Sequence, residues 1–299
     1  MLEPAQIALV AAAGLLAGAV NAVAGGGSLI SFPALLAVGY PALTANVTNA
    51  VALTPGYFGG TLGYRRELEG QRSRIIALGA TSAAGAVLGA FLLVVSSAEF
   101  FERVVPFLIF LACGLLAAQT RLARLVRQRR ESRAELEVQK GREDPEAGVD
   151  PEAGVDPGAR ADRADRRPTI DQAVGAQPAA DPHTPPLFGA QFLAAVYGAY
   201  FGAGVGIMML AILGIFLVDN LQRLNALKGL LSLLINAIAA IYFILFADVR
   251  WLAVAVMAVT SLLGGQLGVV LARRLNDQAL RWLVIAFGVT VGLRLLIAG

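Results

Sequence analysis

Histidine and cysteine, two frequent carriers of site chemistry, occur once each in 299 residues. The histidine, His183, lies in a polar stretch, which argues against histidine-based catalysis and against a His-rich metal site. Cys113 sits inside an apolar run. A lone cysteine can form neither an intrachain disulfide nor a thiolate metal cluster, so it reads as a small buried apolar residue. Charge is also scarce: 15% of residues are charged against 57% hydrophobic, and the formal net charge is only +3. Residues 121–187 hold 12 of the 24 basic and 13 of the 21 acidic side chains, so the other 232 residues keep 12 and 8. No Asp or Glu falls in the middle of an apolar segment; Glu99, Glu102, Asp219, Asp248 and Asp277 all stand at segment ends. Carriers of metal cations or protons commonly need an intramembrane carboxylate, and membrane aspartyl proteases or glycosidases need two. No nucleophile–base pair is recognisable either, so neither an enzyme nor a cofactor is expected.

What is present is apolar sequence in lengths suited to a bilayer. Segments run at about 5–24, 28–39, 42–64, 75–95 and 100–120, then 188–203, 205–218, 221–246, 251–272 and 279–297. A full crossing takes about 20 residues, so 28–39 and 205–218 are short. Each follows a glycine cluster, Gly25-Gly26-Gly27 or Gly202-Ala203-Gly204. Glycine weakens a helix by about 1 kcal/mol relative to alanine, so each cluster reads as a break between a long helix and a short one. Met1-Leu2-Glu3-Pro4 supplies no basic region, and the apolar pattern continues past Ala22-Val23-Ala24, which predicts a retained first span rather than a cleaved signal.

The two sets of five resemble copies. Residues Thr81 to Gly89 align with Thr260 to Gly268 without a gap, the glycine breaks align at an offset of 177, and Thr48-Asn49-Ala50 corresponds to Leu224-Asn225-Ala226. Duplicated, glycine-interrupted short segments are a sequence pointer to the binding site of a secondary transporter. The expected fold is therefore an all-α polytopic membrane protein of 8 to 10 transmembrane segments with glycine-broken helices. It would comprise membrane repeat 1 (1–120), a linker (121–187) and membrane repeat 2 (188–299). The positive-inside rule puts Arg65, Arg66, Arg72, Arg74, Arg223, Arg273 and Arg274 on the cytoplasmic side with the linker. Glu99, Glu102, Arg103, Asp248 and Arg250 remain outside, and five crossings per half make the repeats inverted. Basic residues beside spans set topology, so no nucleic-acid partner is expected. The linker starts with five arginines that could rest on anionic headgroups. It continues with a doubled Asp-Pro-Glu-Ala-Gly-Val, too polar and Pro/Gly-rich to build a core, and reads as a tether or a regulatory arm.

Three features could hold a substrate. Lys228 lies inside an apolar segment, three residues after Asn225. A lysine there either snorkels to water or anchors a bound anion, whereas Arg223 is expected at the interface. The glycine breaks free the N–H groups that begin the next helices at Ser28 and Val205, and helix N-termini favour anions. The alternative is that Gly25, Gly26, Gly27, Gly202 and Gly204 only permit close packing, the reading preferred for Gly85/Gly89 and Gly264/Gly268. Finally, Asn21, Thr44, Asn46, Thr48, Asn49, Asn225 and Asn236 are polar groups in apolar surroundings that need partners. Asn46, Thr48, Asn49 and Asn225 are favoured as substrate contacts because they recur near the breaks; helix–helix hydrogen bonding is the alternative. Gln266, in one copy only, is a weaker candidate.

Gly25-Gly26-Gly27-x5-Pro33-x5-Gly39 followed by Ala45-Asn46-Val47-Thr48-Asn49 resembles the first repeat of the TauE/SafE sulfite exporter family, also called the 4-toluene sulfonate uptake permease family. Leu221 to Lys228 resembles its second-repeat counterpart, so the likeness covers both membrane halves and leaves out the linker. The resemblance implies an integral membrane transporter of sulfur-containing oxyanions, such as sulfite, or organosulfonates, and the expected location is the inner (plasma) membrane. Two departures, Ala203 within the second cluster and Leu210 in the place of Pro33, predict a less sharply broken second half-helix. The expected function is transport of small anions by alternating access, with an anion channel or a non-transporting scaffold subunit as rivals. Its expected partners are the anion and the bilayer, with a homo-oligomer as a further option.

Overall fold

The computed structural model describes residues 2–23, 25–118, 128, 185–217, 219–271 and 277–298. His183, Arg273, Arg274 and almost all of the 121–187 linker lie outside the described residues.

The described residues are helical, with no strand among them. In hydrocarbon every backbone N–H and C=O must be satisfied within the chain, and apolar sequence this continuous does so as helix. In chain order the helices are α1 (Pro4–Val23), α2 (Ser28–Ala37), α3 (Ala42–Gly63), a 3-10 turn (Arg65–Leu68), α4 (Arg72–Val95) and α5 (Ala98–Ala118). The second half has α6 (Pro185–Tyr200), α7 (Val205–Phe216), α8 (Leu221–Phe246), α9 (Trp251–Leu271) and α10 (Asp277–Ala298). Helices α1, α4, α5, α8 and α9 are long and apolar enough to cross a membrane. Helices α2 and α7, with 10 and 12 residues, extend roughly 15–18 Å, about half of the hydrocarbon thickness. They are the two short segments expected after the glycine clusters.

Both breaks are built in the same way. Gly25 and Gly202 adopt φ of 81° and 80°, a region that costs glycine nothing and other residues dearly. Each donates its N–H to the carbonyl five residues back, Val20 and Tyr197, the wrapped hydrogen bond that ends a helix. The next helix then starts on the carbonyl of Gly27, which takes the N–H groups of Ile30 and Ser31, or of Gly204, which takes those of Ile207 and Met208. The second break is thus as sharp as the first, despite Ala203 and Leu210. Gly204, at φ 76°, gives it a second left-handed residue, whereas Gly27 is right-handed.

Packing couples the halves. Helix α1 lies on α9, and α4 lies on α6; α9 also packs on α3, and α4 on α8. Each pair has its counterpart when α1–α4 are exchanged with α6–α9, and α3 against α8 is the central pair. Close approach comes from small residues. A methyl group on Gly264 or Gly268 would collide with the backbone of Leu15 or Ala19 in α1. A methyl group on Gly85 or Gly89 would collide with that of Phe192 or Val196 in α6. The packing role read for these four glycines is what the helices use, and it appears twice in the same form.

Candidate functional site

The two breaks meet. A methyl group on Gly25 would stand 2.8 Å from the Cα of Gly206, and one on Gly206 2.9 Å from the Cα of Gly25. Phe32 of α2 and Phe201 of the second break stack edge to face at 5.5 Å beside this contact. The freed N–H groups are largely used within the chain. The side-chain oxygen of Asn21 accepts from Gly27 N–H at 2.7 Å, and the glycine carbonyls take the first-turn donors of both short helices. Ser28 and Val205 are buried at these starts, and Gly26 rests against Leu116 of α5.

The asparagines and threonines separate into two groups. At the start of α3, Asn46 donates to Tyr200 O at 2.9 Å, and Thr48 Oγ1 accepts from Arg250 N–H at 3.1 Å. These two bonds tie α3 to the second break and to the start of α9, the helix–helix role that was the alternative for them. Asn49 is buried with its side-chain oxygen unpartnered among the described residues. Asn236 donates to Ser232 O and neighbours the Tyr57 hydroxyl.

The second group surrounds a cavity. Asn21 and Ala22 of α1, Gly56, Tyr57, Gly60 and Thr61 of α3, Tyr64 just beyond it, and Asn225, Lys228 and Gly229 of α8 line a space of about 20 Å³. That is room for roughly one water molecule, so an oxyanion needs the walls to part. The 12 residues from Thr48 to Gly60 put this cavity about 18 Å along α3 from the first group. The structure therefore joins Asn225 and Lys228 to Asn21 and keeps Asn46 and Thr48 away from them.

Lys228 is the charged member of this set. Seven residues into α8 it stands about 10 Å from the helix start, only 4% exposed. Its Nζ has no hydrogen-bond partner among the described residues, and no carboxylate lines the cavity. A buried ammonium without a partner is costly, which sets Lys228 apart from Arg74 and Arg223, both of which pair with Asp219.

Beyond the cavity the chain closes with ions. Arg74 Nη1 meets Asp219 Oδ2 at 2.5 Å, and Arg223 Nε reaches the same carboxylate at 3.0 Å. Arg223 also donates to Glu69 O, and Gln71 donates to Arg223 O and Glu67 O. The Asp219 carboxylate is thereby committed to two guanidinium groups. Arg223 keeps 30% of its side chain exposed, the interfacial position expected of it.

Tyr57, Thr61 and Tyr64 were not picked out by sequence reasoning. Their signal was available: Gly56, Tyr57, Gly60, Thr61 and Tyr64 recur at a spacing that lines one helix face with alternating room and hydroxyls.

A helical chain with five spanning-length apolar helices, two half-length ones and a small cavity lined from both halves is a multi-pass membrane protein. It belongs to the TauE/SafE family: residues 10–295 match the family described as "Sulfite exporter TauE/SafE". It is also similar to "Probable membrane transporter protein ORF9" of Sinorhizobium sp., with 34% identity over 103 residues, 34% of this chain and 40% of that relative. The matched stretch thus spans less than half of the relative's length. No solved structure matches.

Proposed function

We propose that the protein moves small anions, sulfite or organosulfonates, across the inner (plasma) membrane by alternating access at the cavity around Lys228. The observation that carries this reading is the buried, unpartnered Lys228 ammonium facing an acid-free cavity between the two halves. In this reading residues 1–120 and 188–299 are inverted copies, supported by the twice-built glycine turn and the exchanged helix pairs. The 121–187 linker is cytoplasmic. The Asn225 amide and the Tyr57 hydroxyl replace part of the anion's water, and Lys228 supplies the charge. The glycine breaks serve as the joint about which the short helices rock. An inside-negative potential favours anion exit by about 2.3 kcal/mol per charge per 100 mV, so export needs no carboxylate to couple protons, whereas uptake requires another energy source.

The test is flux of labelled sulfite and of an alkanesulfonate in liposomes holding the purified protein, under imposed potentials. Flux above that of protein-free vesicles, rising as the potential drives anions outward from their own compartment, is expected. Lys228→Ala removes the charge that meets the anion, a loss of about 2–5 kcal/mol, so half-saturation should rise at least about tenfold. Absence of flux at every potential sinks the transport reading. Full flux in Lys228→Ala sinks the anchor.

A further inference from the structure

We propose that the cavity selects singly charged anions, so that the inorganic species it takes is hydrogen sulfite and not the sulfite dianion. This inference rests on the transport reading and deepens it. The warrant is the charge count around the cavity. Helices α1, α2, α3, α6, α7 and α9 contain no Asp, Glu, Lys or Arg at all. Helix α8 contains Arg223 and Lys228 only. Arg223 is tied to Asp219, and so is Arg74 from α4. The remaining titratable groups facing the cavity are the Tyr57 and Tyr64 phenols.

One positive charge is therefore available inside. A monoanion beside Lys228 makes a neutral pair, and the Tyr57 hydroxyl and the Asn225 amide take up its remaining acceptors. A dianion leaves one negative charge uncompensated in a site shielded from water, which low-dielectric surroundings penalise heavily. Of the described arginines beside the cavity end of α8, Arg74 and Arg223 are already shared with Asp219 and supply no second cation. Alkanesulfonates carry a single charge at all ordinary pH values, so one rule covers both substrate types. Sulfite carried in this form takes its proton along and gives it up on the far side.

The experiment uses the full-length protein in liposomes with equal pH inside and outside, a trapped pH-sensitive dye, and either total sulfite or methanesulfonate at fixed concentration. As pH rises beyond the second ionisation of sulfurous acid, the sulfite rate relative to that of methanesulfonate should fall about tenfold per pH unit, following the hydrogen sulfite fraction. The methanesulfonate rate at each pH is the reference, since any titration of Lys228 itself acts on both anions alike, and the dye should report one proton leaving with each sulfite. Sulfite flux that holds or grows with pH, with no proton movement, overturns the inference while transport stands. Equal decline of both anions also overturns it, since a protein group rather than the ligand would then be titrating. If neither anion exceeds protein-free vesicles, the transport reading itself falls.

Discussion

At the scale of single residues, two glycines separate contact from conformation. Gly206 lies in ordinary helix, yet a methyl group there would stand 2.9 Å from the Cα of Gly25, backbone against backbone. Gly114 in α5 has nothing within 4 Å of the same construction. Gly206→Ala should push the breaks apart and destabilise by about 1–3 kcal/mol. Gly114→Ala should be neutral or stabilise by up to about 1 kcal/mol through helix propensity alone. Thermal unfolding in detergent measures both, and flux should fall only in Gly206→Ala. Equal midpoints in the two variants would mean that the joint is not tightly packed. Lys228 and the glycine clusters were legible in the sequence because charge and helix-breaking residues stand out against apolar surroundings. The tyrosines and Thr61 did not stand out, because a hydroxyl in a membrane helix ordinarily bonds its own backbone, as Thr61 does to Tyr57 O.

At the scale of elements, the ion pairs between the start of α4 and the α7–α8 turn close one end of the molecule. Arg74 and Asp219 are 6% and 14% exposed, and Arg223 joins them from the first turn of α8, five residues before Lys228. Breaking such a pair by removing one partner leaves an uncompensated buried charge, at a cost of about 3–5 kcal/mol. Asp219→Asn should therefore loosen this end, and Arg74→Gln in addition should recover part of the loss, since the two act as a unit. The check is a cysteine at Thr61 in a Cys113→Ala background. Water-soluble thiol reagents should modify it faster in Asp219→Asn than in the parent, and more slowly again in the double variant. Unchanged reactivity would show that the ion pairs do not gate the cavity. Sequence alone led to interfacial arginines here. The shared carboxylate was hidden because Arg74 and Asp219 lie 145 positions apart, and spacing carries no information over that range.

At the scale of the whole molecule, charge and connectivity define two faces. Arg65, Arg66, Arg72, Arg74 and Arg223 gather at one end, where Gly70 approaches the Arg223 guanidinium. Glu99, Asp248 and Arg250 belong to the other, where Arg250 lies over the Tyr40 ring at 6.0 Å. Helix α4, 24 residues and about 36 Å long, connects the first face to the second. Helix α5 returns toward the first face; α8 and α9 repeat the excursion. The span pattern was readable because hydropathy measures a property of each segment by itself. Its division into two pockets' worth of polar groups was not, because that depends on which helices cross and in which direction. The proposed topology, which follows positive-inside bias, has the arginine face in the cytoplasm. Single cysteines at Arg66 and Ser132, in a Cys113→Ala background, should then be modified by a membrane-impermeant reagent only after cells are opened. Cysteines at Glu99 and Asp248 should react in intact cells. If Arg66→Cys and Asp248→Cys respond from the same face, α3, α4 and α8 do not cross as the charge pattern requires. The Lys228 cavity would then lose its place between two aqueous compartments.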